Sequence, residues 1–98
     1  MKREDYKFCI GYQGDAALVD GQAKKSYSGD SVEQLVEKGL YRFAISSALF
    51  DADQKALDLI RERYNAIAGT KLQTSDDLKR MFGVIEPAEA ITRVLIIK

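Results

Sequence analysis

The chain has 98 residues, of which 15 are Lys or Arg, 15 are Asp or Glu and none is His, and 46% are hydrophobic. This length supports one hydrophobic core, so we expect residues 1–98 to form a single compact domain. The hydrophobic content excludes a disordered chain, and the zero net charge removes the basic excess that a general nucleic-acid binder uses to displace counterions from phosphates.

The N-terminal segment predicts a β-hairpin. Apolar and other residues alternate from Tyr6 to Tyr12, which is the period of a half-buried strand. The dipeptide Gln13-Gly14 separates this strand from the apolar run 16–19 (AALV), and glycine supplies the positive φ of a primed hairpin turn. In the resulting register the strands pair Ile10 with Ala17, Phe8 with Val19 and Cys9 with Leu18.

The dipeptide Asp20-Gly21 predicts a second tight turn. It would return residues 22–27 onto the second strand as a third strand, but it places Lys24 or Lys25 opposite apolar residues. Lysines at a sheet edge discourage further pairing, so we expect at most a short edge strand here. The same lysines beside Tyr27 could contact an anion or a base, although a solvated edge explains them equally well.

The next segment predicts a helix that begins at Asp30 or Ser31. Residues 33–34 (EQ) are placed to complete a capping box. Apolar residues then recur at three- and four-residue spacing as far as Leu49, which indicates a buried helix. Gly39 either ends a short helix within this segment or allows a neighbouring backbone to come close.

Two further helices are predicted before the C-terminal region. The first is capped by Asp51 or Asp53 and ends at residues 68–69 (AG). The second begins at residues 74–75 (TS) and ends before Gly83. The apolar residues predicted to face inward are Ala56, Leu57, Ile60, Tyr64 and Ile67 in the first of these helices, and Leu78, Met81 and Phe82 in the second.

The C-terminal residues predict a strand that begins after Pro87. Five of the last eight residues (ITRVLIIK) are β-branched, and both alternating sets of positions contain apolar residues. This pattern is typical of a strand that is covered on both faces or flanked by two others, and we place it beside the first strand. The sequence therefore predicts an α+β domain: an N-terminal antiparallel hairpin, two to three helices and a C-terminal strand form a small sheet with the helices on one face.

One core is expected where the inward face of the hairpin meets the helices. Its predicted members are Phe8, Ile10, Val19, Leu35, Leu40, Phe43, Leu57, Ile60, Tyr64, Leu95 and Ile97.

The residue types restrict catalysis and metal binding. With one Cys and no His, the chain lacks the usual zinc ligand sets, the Ser-His-Asp triad and the Cys-His pair. Asp51, Asp53 and Glu62 match three positions of a calcium loop, but Lys55 and Ala56 stand where that loop needs an oxygen ligand and a glycine. We therefore predict no catalytic residues, no metal site, no cofactor and no enzymatic activity.

Residues 75–95 also match a helix-turn-helix pattern, with a short capped helix, a Gly-Val turn and a second helix opened by a proline. In this alternative, Lys79 and Arg80 contact phosphates, while Thr92 and Arg93 lie on a recognition helix in the major groove of DNA. The β-branched residues of the second segment and the missing basic excess oppose it.

The main functional hypothesis is a small non-enzymatic binding or regulatory module that acts through protein–protein contacts. Its partner would be another protein or a second copy of the chain in a homodimer. Five Tyr and four Phe support this hypothesis, because aromatic residues are enriched in interface cores.

We expect a cytoplasmic protein with no membrane partner. Apolar stretches such as residues 43–50 (FAISSALF) are far shorter than the roughly 20 residues that a membrane helix needs. The charged N-terminus is followed by an apolar run of only residues 8–10 (FCI), shorter than the core of a signal peptide.

Overall fold

A computed structural model describes residues 1–85 and 91–98. In chain order, the elements are helix α1 (Arg3–Lys7), strands β1 (Cys9–Gln13) and β2 (Ala16–Asp20), helices α2 (Gly21–Tyr27), α3 (Val32–Glu37), α4 (Tyr41–Phe50), α5 (Gln54–Ala68) and α6 (Ser75–Phe82), and strand β3 (Arg93–Ile97). The sheet has the strand order β1-β2-β3. The predicted α+β class, with an N-terminal hairpin and a C-terminal strand in one small sheet, is confirmed, but the described residues form six helices rather than the two to three predicted. No helix in the described ranges combines the length and the apolar character needed to cross a membrane.

The first strand begins later than predicted. Tyr6 lies in α1, where its backbone N–H donates to the carbonyl oxygen of Lys2 at 3.0 Å, and β1 starts only at Cys9. Tyr6 and Phe8 are both buried, at 1% and 0% exposure. A helical turn followed by a strand buries these two residues just as a continuous strand would, so alternation alone misplaced the boundary.

The predicted hairpin register is wrong. Gly14, at φ 62°, and Asp15 form the turn, rather than Gln13-Gly14, and a β-bulge at Ile10 shifts the register again. The observed pairs are Cys9 with Val19, Gly11 with Leu18, Tyr12 with Ala17 and Gln13 with Ala16. Because neighbouring side chains on a strand point to opposite faces, this shift places the Cys9 thiol on the same face as Val19.

The short edge strand expected at residues 22–27 is also wrong, because these residues belong to α2. Asp20 caps this helix, since its side chain accepts a hydrogen bond from the backbone N–H of Ala23 at 3.0 Å. Gly21 is required for space rather than for a turn: a Cβ at this position would lie 2.8 Å from Cγ2 of Ile96. The Asp-Gly dipeptide therefore starts a helix packed against β3.

The helix boundaries predicted from capping signals are confirmed. Ser31 and Gln34 form a capping box at the start of α3, and Gly39, at φ 76°, separates α3 from α4. Asp53 caps α5, and Thr74 caps α6. Residues whose side chains accept hydrogen bonds from the first backbone N–H groups of a helix can be recognised in the sequence. The starts of α3, α5 and α6 were predicted from such residues.

The core consists of two neighbouring clusters. The larger one joins α3, α4, α5 and α6, and includes Leu35, Leu57, Ile60 and Leu78. The smaller one joins the sheet to α2 and α4; its buried members are Phe8, Val19 and Ala23, with Phe43 and Val94 packed against them. Tyr64 lies in an aromatic group with Tyr41 and Phe82, with ring centroids 5.0 to 5.8 Å apart.

Several residues predicted to face inward are exposed. In the sheet these are Ile10, Leu95 and Ile97, at 41%, 42% and 44% exposure. In the helices they are Ile67 at the end of α5 and Met81 in α6. The predicted helical stripes were correct at Leu57, Ile60 and Leu78, which are buried in the larger cluster, and wrong at Ile67 and Met81.

Strand β3 does not lie beside the first strand as predicted. It pairs in parallel with β2, from Ala16 opposite Arg93 to Asp20 opposite Ile97. A parallel pair needs a long crossover, and here the chain from α2 onward provides it. Val94 packs on the buried cluster of Phe8 and Val19, so the alternate residues Leu95 and Ile97 point to the opposite face of the sheet.

The link between α1 and the end of α4 predicts a pH-dependent contribution to stability. Arg3 donates two hydrogen bonds of 2.9 Å to Asp51 and one of 2.8 Å to the Ser47 hydroxyl. The hydrogen bonds from Arg3 hold the pKa of Asp51 below its usual value. Because the folded state lowers this pKa, the ionised carboxylate stabilises the fold above the pKa of the unfolded chain, and the contribution is lost as the pH falls through the folded value.

We expect Asp51→Asn to reduce the unfolding free energy at pH 7 by no more than about 1 kcal/mol, because the pair is partly exposed to solvent. The difference from the unmodified protein should vanish in acid, where the protonated carboxyl of Asp51 is as neutral as the amide that replaces it. Urea unfolding between pH 7 and pH 2 measures it, with Glu62→Gln on the exposed face of α5 as a control. A difference that persists unchanged at pH 2 would contradict the assignment.

Candidate functional site

The four residues assigned to DNA in the helix-turn-helix alternative all contact carboxylates. In α6, Lys79 pairs with Asp76 at 3.0 Å and Arg80 pairs with Asp77 at 3.1 Å. Each pair joins residues one helical turn apart, at positions that face each other on a helix surface. The positive charge of Lys79 and Arg80 is therefore partly balanced within α6 itself.

Thr92 and Arg93 are brought together at the start of β3 by Asp15, in the hairpin turn. Arg93 donates to Oδ1 of Asp15 at 2.9 and 3.1 Å, and the Thr92 hydroxyl donates to Oδ2 at 3.0 Å. The hydrogen bonds from Arg93, followed by that from Thr92, lower the pKa of Asp15. These two residues tie β3 to the turn between β1 and β2.

The recognition helix of that alternative is wrong over Arg93–Ile97, which form β3. The β-branched residues decide the outcome, since they are stiff in a helix and pack well on a pleated sheet. The part of the alternative at residues 86–90 lies outside the described residues.

The other residues considered as sites have structural contacts. Asp53 caps α5 by accepting a hydrogen bond from the backbone N–H of Ala56 at 3.1 Å, and Asp51 pairs with Arg3. Lys24 lies on α2 and pairs with Asp5 at 2.7 Å. Within residues 1–85 and 91–98, no group of three or more acidic or Cys side chains is arranged to hold a metal ion.

The apolar surface of β3 is more distinctive than these structural contacts. Leu95, Ile96 and Ile97 are consecutive large apolar residues with 42%, 48% and 44% of their surface exposed. We call these three residues the β3 surface. It lies on an edge strand of the sheet, since the strand order is β1-β2-β3. The β-branched run in the sequence indicated the strand, but its position at the sheet edge depends on pairing with β2.

A second feature is a cavity of about 70 Å³ between β1, α4 and the segment after α6. Its polar lining comes from Tyr6, Cys9, Tyr12, Arg42 and Ser46. Sequence reasoning placed Cys9 beside Leu18 as a packing residue and assigned no functional role to the other four. These residues are distant in the chain, and only the bulged register of β1 turns Cys9 and Tyr12 toward α4.

Comparisons of the chain with models of protein families, with curated proteins and with solved structures gave no match.

Proposed function

We propose that this domain is a small non-enzymatic binding module that acts through protein–protein contacts, and that its partner is a second copy of the chain bound at the β3 surface. The observation that carries the proposal is the exposure of three consecutive large apolar residues on an edge strand. Exposed apolar side chains at a sheet edge favour pairing with another strand. We place the dimer in the cytoplasm, as expected from the sequence.

The two edges of the sheet differ in their suitability for pairing. Strand β1 contains a bulge at Ile10, a device that disturbs the regular ladder and discourages a further strand. Strand β3 is regular over its five residues, each of which has a partner in β2. Its one charged residue, Arg93, lies at the beginning and is held by Asp15. The regular edge of β3 therefore supports the proposal better than β1.

The side chains and the charges of β3 are compatible with pairing to the same strand of a second copy. In an antiparallel pair centred on Leu95, each Leu95 faces its equivalent, Val94 faces Ile96 and Arg93 faces Ile97, so no like charges are opposed. The zero formal net charge also leaves little overall repulsion between copies. The contact is small, so we expect a reversible dimer of the weak class, which buries less than about 1,200 Å² in total.

The test is sedimentation velocity over a wide range of protein concentrations. We expect the unmodified protein to shift from monomer to dimer as the concentration rises. Leu95→Lys should be monomeric throughout, because two lysines would face each other at the centre of the pair. Leu95→Glu should also be monomeric, and a mixture of the two variants should recover the dimer, since opposite charges then meet.

Ile67→Lys is the matched control, because Ile67 is a large apolar residue with 73% exposure on α5, away from the sheet. It should dimerise like the unmodified protein. A protein that stays monomeric at all concentrations, or Leu95→Lys that dimerises normally, would refute the proposed contact. Duplex DNA binding that weakens steeply with salt and is reduced by Arg93→Ala would replace it with the DNA-binding alternative.

A further inference from the structure

The cavity between β1, α4 and the segment after α6 has a lining suited to an anion. Among its described lining residues are one guanidinium, two phenols, a hydroxyl and a thiol, and no carboxylate. The volume is about 70 Å³. A single water needs about 10–15 Å³ measured in this way, so the cavity has room for a group of several atoms.

Arg42 supplies the positive charge. Its Nη1 donates to the carbonyl oxygen of Phe82 at 3.1 Å, which holds the guanidinium against the end of α6. Its Nε is buried and has no hydrogen-bond partner among the described residues. Gly83 leaves room beside this group, since a Cβ there would lie 4.0 Å from Nη1.

Arg42 differs from Arg61 in its contacts with carboxylates. Arg61 also has a buried Nε without a described partner, but its guanidinium lies 3.7 Å from the carboxylate of Asp58. No such ion pair is formed by Arg42 within the described part of the chain. Among the described residues, the charge of Arg42 therefore has no carboxylate partner of the kind that Arg61 has in Asp58.

The other polar groups of the cavity supply hydrogen-bond donors. Burial, followed by a hydrogen bond with the Cys9 thiol, raises the pKa of Tyr12. Ser46 and Cys9 are 2% and 5% exposed, and both line the cavity. The Cys9 thiol donates to the carbonyl oxygen of Gly11 at 3.1 Å. Hydroxyl donors beside a guanidinium are a combination that recognises oxyanions.

We propose that this cavity binds a small oxyanion of carboxylate or phosphate size, held by the Arg42 guanidinium with hydrogen bonds from Tyr12 and Ser46. An anion would supply the negative counter-charge that Arg42 does not find among the described residues, whereas a cation would be repelled. The site lies apart from the β3 surface, so anion binding and dimerisation are separable.

The experiment uses Cys9 as a reporter, because it lines the cavity and is the one cysteine of the chain. The rate of Cys9 alkylation is measured in phosphate, sulfate, formate or acetate, with chloride at equal ionic strength as the reference. We expect saturable protection by at least one oxyanion and none by chloride. Protection of Cys9 by phosphate or sulfate only would identify a tetrahedral anion. Protection by formate or acetate only would identify a carboxylate.

Arg42→Gln should weaken the protection at least tenfold, while the matched control Arg61→Gln should keep it within about twofold. Both variants lose a hydrogen bond to a carbonyl oxygen, so they share that structural effect. If Arg42→Gln does not fold, the Arg42 Nε–H resonance of the unmodified protein decides, and it should shift on titration with the protecting anion. Equal protection by chloride, full protection in Arg42→Gln or an unmoved Nε–H resonance would each overturn the proposal.

Discussion

Ile60→Ala should lower the free energy of unfolding by about 2–5 kcal/mol, and Leu57→Ala should fall in the same range, because each leaves a cavity in a packed core. Ile60 is 0% exposed and Leu57 is 5% exposed, on the face of α5 that packs in the larger cluster. Neighbouring elements hold this site from several sides, so the surrounding side chains cannot easily fill the space. Chemical denaturation of the purified variants gives the measurement.

Ile67→Ala is the matched control for these two variants. It is the same kind of substitution on the same helix, but Ile67 is 73% exposed. Its effect should stay below about 0.5 kcal/mol, which is usual for surface positions. Losses below that value for both Leu57 and Ile60 would mean that another face of α5 carries the core.

Removing residues 91–98 should abolish cooperative folding. The deletion takes away β3, whose five residues pair with all of β2, and it removes Val94 from the cluster around Phe8 and Val19. It also uncovers Gly21, which lies against Ile96. The hairpin that remains has only two strands, and two-stranded sheets are marginal without further cover.

Thermal melting followed by circular dichroism tests this deletion. Removal of Lys98 alone is the control, because that residue follows β3 and its loss leaves the strand complete. The shorter deletion should melt close to the unmodified protein. A chain of residues 1–90 that still melts cooperatively near the same temperature would show that β3 contributes little to the fold.

Local signals in the sequence were sufficient for the starts of α3, α5 and α6. Ser31, Asp53 and Thr74 each accept a hydrogen bond from the backbone N–H three residues ahead, and Gly83 adopts positive φ after α6. Such contacts involve residues a few positions apart, so they can be inferred without knowing the rest of the fold. The same reasoning identified the central residues of α5 and α6 as core.

Local signals failed where two conformations satisfy the same pattern. Asp20-Gly21 suits a tight turn as well as a helix cap, and the approach of Ile96 to Gly21, from the far end of the chain, favours the cap. Tyr6 and Phe8 alternate as in a strand, yet Tyr6 belongs to a helical turn. In both cases, packing against distant residues outweighs the weak local preference.

The sequence by itself determined the α+β class, the capped starts of α3, α5 and α6 and the C-terminal strand, because capping groups and β-branched runs act over a few residues. Only the tertiary structure decided the hairpin register, the parallel pairing of β2 with β3 and the exposure of Leu95 and Ile97. It also decided the cavity, where Cys9 and Tyr12 meet Arg42 and Ser46 from α4. These features depend on which segments lie side by side, and a one-residue change in register reverses the face on which every side chain of a strand lies.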